Sequence, residues 1–188
     1  MEYIILIILV VLAIWVLMGY NDIIGKFNLV QRGWADVTAQ ERQRGRIIPE
    51  LESLLKDHKN YESDLLPKIT ALRSGLSTLN DDQVDPSKLK DISLASKELQ
   101  SGIKLTAEAY PELSASDSYS KVMSEIANQE ENVGAALRIF NQNVEIFNSS
   151  IQVFPNNLIN KNLNKKEKIE VFSDSEAAES FEYKPSFK

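Results

Sequence analysis

Two stretches of this chain repeat their apolar side chains at alternating steps of four and three. The first runs Ile23, Phe27, Val30, Trp34, Val37, Glu41, Arg44, Ile48, Leu51, Leu55 and His58. The second runs Tyr119, Met123, Ile126, Glu130, Val133, Leu137, Phe140, Val144, Phe147, Ile151 and Phe154. A mean step of about 3.5 keeps such positions on one stripe of a long helix, as in a coiled coil. Each stripe spans about 54 Å of helix. Matched lengths predict that the two pack side by side and antiparallel, with Phe154 beside Ile23.

Two shorter helices fit between them. Leu65, Ile69, Leu72, Leu76 and Leu79 mark one, and Leu89, Ile92, Ala95 or Ser96, Leu99, Ile103 and Tyr110 mark the other. The polar stretch from Asn80 to Ser87 separates them, with Asp85 as N-cap and Pro86 as first helical residue. Pro111 ends the second short helix, and the last long helix opens near Ser116. The expected fold is all-α: an elongated antiparallel up-down bundle of four helices, two long and two short. The chain reverses near residues 60–64 in this reading. The alternative is one helix running on to residue 79, kinked at Pro49 and Pro67.

Ahead of the bundle, Tyr3 to Met18 is unbroken apolar sequence, and no charge follows until Asp22. Tyr3 to Tyr20 spans about 27 Å as a helix, near the thickness of a hydrocarbon core. The start Met1-Glu2 is not a basic leader, and Val16-Leu17-Met18-Gly19-Tyr20 has no small-x-small cleavage pattern. The run therefore reads as an uncleaved single-pass anchor, with the bilayer as partner through residues 3–20. Lys26 and Arg32 follow it, which favours a cytoplasmic bundle at a plasma membrane. The chain divides into an anchor (1–21), a bundle (22–159) and a charged tail (160–188). The tail reads as mostly flexible, with Val171-Phe172 and Phe181-Glu182-Tyr183 as docking points.

Composition closes several routes to function. With 21 basic and 27 acidic residues, the chain carries -6 and is a poor nucleic-acid binder. Zero cysteines exclude disulfides and thiolate chemistry, and one histidine excludes a multi-histidine metal centre. That histidine, His58, sits on the first stripe, and the Glu needed three residues earlier for a di-iron bundle is Leu55. The acidic loop from Asp81 to Asp85 lacks the Gly and terminal Glu of a calcium loop and reads as a solvated turn. No catalytic constellation is evident, so no enzyme and no cofactor is expected.

Three polar residues interrupt the stripes. Glu41, Arg44 and Glu130 form a candidate polar layer, with Arg44 within reach of Glu130 across the bundle. It serves either as a register-fixing salt bridge or as a ligand site. A second candidate layer lies near the membrane. Tyr20-Asn21 and Phe27-Asn28 are seven residues apart, and Phe140-Asn141 and Phe147-Asn148 repeat that spacing. Antiparallel packing brings Asn28 beside Asn148, so Asn21, Asn28, Asn141 and Asn148 are expected to bond across the two helices or to face a partner.

These motifs together resemble the bacterial LemA family. The resemblance rests on Tyr20-Asn21 after the apolar run, Trp34, and Gln43-Arg44-Gly45-Arg46-Ile47-Ile48-Pro49-Glu50-Leu51. It rests further on Glu108-Ala109-Tyr110-Pro111-Glu112-Leu113, Glu130, the two Phe-Asn pairs and Phe154-Pro155-Asn156-Asn157. Departures fall at Glu41, Arg46, Glu50 and Leu137, where the family pattern has Leu, Asp, Asn and Arg. The resemblance covers residues 1–160 and implies a membrane-anchored helical bundle, with no established reaction, substrate or cofactor. The expected role is a non-catalytic interaction or scaffold module in the cell envelope, with a protein partner or a second copy. The rival is a ligand-binding sensor built on the polar layer.

Overall fold

The computed structural model describes residues 2–56 and 62–173; His58 and residues 174–188 lie outside them. α1 (Glu2–Gly45) is one helix about 66 Å long. Its first part has no protein around it: Tyr3 is 82% exposed and Met18 67%. The span is long and apolar enough to cross a membrane, with mean hydropathy 2.8. From Ile23 onward one face of the same helix is buried, through Val30, Trp34 and Val37 to Glu41 and Arg44.

A tight turn breaks α1 from α2 (Ile48–Lys56), with Arg46 N–H on Gln43 O and Ile47 N–H on Arg44 O. The break falls just before Pro49, whose ring cannot donate to the preceding turn. α3 (Glu62–Ser77) then comes back along α2 and α1. Arg73 on α3 bonds Glu52 on α2 at 2.8 Å, and Arg42 on α1 reaches Leu79 O at 3.3 Å, just past the end of α3. The chain therefore reverses between α2 and α3 and does not continue as one helix. α4 (Pro86–Ala109) packs on α3, capped by Asp85, whose carboxylate accepts from Ser87 N–H. Four residues, α5 (Pro111–Ser114), lead to α6 (Asp117–Ser150), capped by Ser116 Oγ accepting from Tyr119 N–H.

α6 is the main partner of α1, and they run antiparallel. Phe27 meets Phe147 with ring centroids 5.5 Å apart, and Trp34 meets Phe140 at 5.6 Å. Gly33 permits this approach, since a Cβ there would lie 3.2 Å from Phe140 Cα. Trp34 is fully buried, and its Nε1 donates to Asn80 O in the loop between α3 and α4. That acidic loop is more than a solvated turn. Thr38 Oγ1 donates to Asp81 at 2.5 Å and Arg42 at 2.8 Å, which pins the α3–α4 hairpin to α1. These bonds hold the Asp81 carboxyl below the usual carboxylate range, Arg42 contributing most and Thr38 next.

The antiparallel pairing of Phe27 with Phe147 falls as expected, but the expected Phe154–Ile23 end of the ladder does not form. Phe154 is 75% exposed, while Ile151 and Ile159 are buried. After α6 come α7 (Asn156–Ile159) and a π-helical turn (Asn160–Asn164) that collar α1 where stem meets bundle. Asn156 Nδ2 donates to Asp22 at 3.2 Å, and Asn164 Nδ2 donates to Tyr20 O at 3.3 Å. The all-α up-down bundle stands, with passes formed by α1–α2 (broken at residues 46–47), α3, α4 and α6; α5, α7 and the π-helical turn are short additions to the expected count of four.

Candidate functional site

Glu41 and Arg44 lie one turn apart on α1 and pair at 2.5 Å, with side chains only 4% and 8% exposed. Burial pushes the Glu41 carboxyl above the usual carboxylate range, against the pull of the Arg44 guanidinium. Arg44 does not pair with Glu130. Glu130 is on the exposed side of α6 and accepts a hydrogen bond from Gln100 Nε2 on α4. The reason is helical pitch. From Val122 to Phe147 the buried positions of α6, namely Val122, Ile126, Gln129, Val133, Ala136, Phe140, Val144 and Phe147, advance near the ~3.6 residues of a straight turn. A strict 3.5 stripe drifts about 20° per heptad from that line, so Gln129 turns inward where Glu130 was expected. All three residues still border one cavity of about 150 Å³, with Ser93, Ser96, Lys97 and Phe172.

Phe172, one of the expected docking points of the tail, does dock on the bundle, but it belongs to a longer ordered segment that the tail reading missed. Residues 165–173 lie along α6 as a strap, so the ordered domain runs well past residue 159. The strap turns out of the π-helical turn at Lys165, which takes a positive φ of 50°. Among the described residues, 166–173 make no backbone–backbone hydrogen bond. Asparagine side chains supply the missing partners. Asn160 Nδ2 donates to Lys166 O at 2.9 Å, and Asn160 Oδ1 accepts from Lys166 N–H at 3.0 Å. Asn148 makes the same pair with Ile169, at 2.7 and 3.0 Å. Asn141 repeats it with Phe172, at 2.7 and 2.9 Å.

The spacing explains why the rungs align. Seven residues of helix advance about 10.5 Å, and three residues of extended chain advance about 10 Å. Asn141 and Asn148 therefore meet Phe172 and Ile169 in step, with the strap antiparallel to α6. Ile169 and Phe172, whose backbones form these rungs, pack their side chains on the core. Lys166 Nζ sits 3.7 Å above the Phe27 ring, a cation–π contact.

Of the four expected asparagines, only Asn141 and Asn148 join this ladder. Asn21 and Asn28 are exposed on α1 and make no rung. The helix-to-helix amide bond comes instead from Asn143, whose Nδ2 donates to Leu29 O at 3.1 Å. Asn160 was also missed, because its partner is a backbone amide six residues away. The seven-residue Asn repeat was the visible signal; the matching three-residue spacing of Lys166, Ile169 and Phe172 on the strap shares no common side-chain type that would mark it. Among the described residues no cluster of three or more His, Cys, Asp or Glu is arranged to hold a metal.

The description of the LemA family matches residues 33–186. The chain belongs to the LemA family. Protein LemA of Metamycoplasma hominis is 30% identical over 143 residues, which is 76% of this chain and 64% of that protein. The chain thus spans less than two thirds of that relative's length. The family match takes in the ion pair, the ladder and the strap. In chemical terms, this LemA-family bundle offers a main-chain-reading amide ladder and a small ionic cavity.

Proposed function

We propose that this LemA-family chain is a single-pass membrane protein whose bundle serves as a non-catalytic interaction module on the cytoplasmic face of a bacterial plasma membrane. One observation carries the reading: α1 passes without a break from an exposed apolar stem into the buried centre of the bundle. A removable leader has no reason to share a helix with the core. Lys26 and Arg32 just beyond the stem support the cytoplasmic side.

Because the chain has no native cysteine, a single Ser173→Cys substitution gives a clean topology reporter. A membrane-impermeant maleimide should label it only after cells are opened. Labelling of intact cells would reverse the orientation. The full chain should stay in carbonate-washed membranes with its first residues present; a mature form starting near residue 20 would instead make the stem a signal sequence. Photo-crosslinkers at the exposed Leu94, Leu105 or Ile139 should trap one discrete species in membranes. A smear of unrelated neighbours would sink the interaction role.

The cavity beside Glu41, Arg44 and Glu130 favours a second reading, a sensor of a small polar ligand. Its 150 Å³ has room for about five waters, so only a compact ligand fits. A thermal shift that Arg44→Ala abolishes would support that reading.

A further inference from the structure

We propose that the Asn141–Asn148 face of α6 is a docking groove for an extended peptide segment of a partner protein, and that the chain's own strap is its resident placeholder. This rests on the interaction-module reading and names the surface that module uses. Each rung takes up both the N–H and the C=O of one strap residue, at 2.7–3.0 Å. Such a bracket reads main chain, not side chain, so it is indifferent to whose chain lies in it. Side chains add selectivity at three places only. Lys166 covers Phe27, while Ile169 and Phe172 pack on the core. The matching occupant therefore carries a basic, an aliphatic and an aromatic residue at successive third positions, in extended conformation.

The strap is built to leave. Glu167, Lys168, Glu170, Val171 and Ser173 are exposed. Beyond its root at Lys165, the strap adds no backbone–backbone hydrogen bond to any helix among the described residues, so release of residues 166–173 leaves the bundle ladder intact. The rung at Asn160 lies only six residues from Lys166 and holds the root of the strap in place, while the rungs at Asn148 and Asn141 bridge 21 and 31 residues. An emptied groove would leave two part-buried amides unpaired, which favours replacement over vacancy.

The test uses the full chain in detergent micelles and a fluorescent peptide with the sequence of residues 165–173. The wild-type chain, filled in cis, should bind it weakly. The Ile169→Ala/Phe172→Ala chain should bind at least about tenfold tighter, because competition from the tethered strap falls. A peptide N-methylated at the Ile169 nitrogen lacks the proton that Asn148 accepts and should lose about tenfold. Adding Asn141→Ala and Asn148→Ala should remove binding while circular dichroism keeps the helices. No binding to the opened chain, or equal binding of the N-methylated peptide, overturns the groove. So does dimerisation of the wild-type chain that Asn148→Ala abolishes, which assigns the ladder to a second copy's strap. None of these readouts needs a membrane, so failure here leaves the crosslinking result in membranes standing.

Discussion

Replacing Arg44 with Ala isolates the energetics of the buried pair. The partner left behind is Glu41, whose side chain is 4% exposed. Removing one member of a buried pair costs about 3–5 kcal/mol when the other stays charged. Glu41 has an escape, which is to bind a proton. Its carboxyl is already held above the unfolded value of about 4.3 by burial. Arg44 supplies the opposing charge and hydrogen bond, so its loss raises the folded value further. In the interval between the unfolded and folded values, the native state holds more protons than the unfolded state. Stability therefore falls as pH rises through that interval, at up to about 1.4 kcal/mol per pH unit. The interval is wider in Arg44→Ala than in the wild type, so the variant should lose most at pH 8 and recover towards pH 5. Urea unfolding in micelles, followed by Trp34 fluorescence in a Trp15→Phe background, measures this. With a slope of about 2 kcal/mol/M, the pH 8 midpoint should drop by about 2 M. Glu41→Gln added to Arg44→Ala should restore a large part of it, a coupling that a double-mutant cycle reads directly. An unchanged midpoint at pH 8, or an equal loss at pH 5 and pH 8, would refute the reasoning.

Trp34→Ala empties a fully buried site and strips Asn80 O of its donor, so thermal unfolding should show a loss of about 3–5 kcal/mol. Asn148→Ala removes two strap bonds worth about 1–3 kcal/mol together; hydrogen exchange at Ile169 should quicken about tenfold or more while α6 stays protected. Asp81→Asn should flatten the acid limb of the stability curve. The folded carboxyl titrates below its unfolded value, so its contribution is present above that value and is lost as pH falls through the folded one. Asp85→Ala removes the α4 cap and should cost about 0.5–2 kcal/mol in the same unfolding assay.

The helices were legible because burial writes itself into spacing. Ile23, Val30, Trp34 and Val37 on one side, and Phe140, Val144 and Phe147 on the other, are apolar because they face each other. Even Glu41 and Arg44 showed themselves, as charges on an apolar stripe. Glu130 misled, because a 3.5 template and a straight helix part company over several turns. The strap was legible only at Phe172; the rest was hidden for a different reason. An extended segment held through its backbone needs side chains at only every third residue, so Lys166 and Ile169 sit among charges that read as a solvated tail. The asparagines of the ladder were noticed for their repeat, yet assigned to the wrong acceptor, since sequence names a donor without saying whose carbonyl receives it. The docking of Asp81 on Thr38 and Arg42 was hidden likewise, being a contact between a loop and a distant helix face.

The undivided α1 has a mechanical consequence. From Tyr20 to Gly45 it extends about 38 Å beyond the apolar stem as a stiff rod. A hydrophobic stem tilts to suit the thickness of its bilayer. By simple leverage over that length, a tilt change of about 10° swings the far end sideways by about 7 Å. If the stem is the membrane anchor proposed above, bilayer thickness would then be expressed as lateral travel of α2 and everything braced against it.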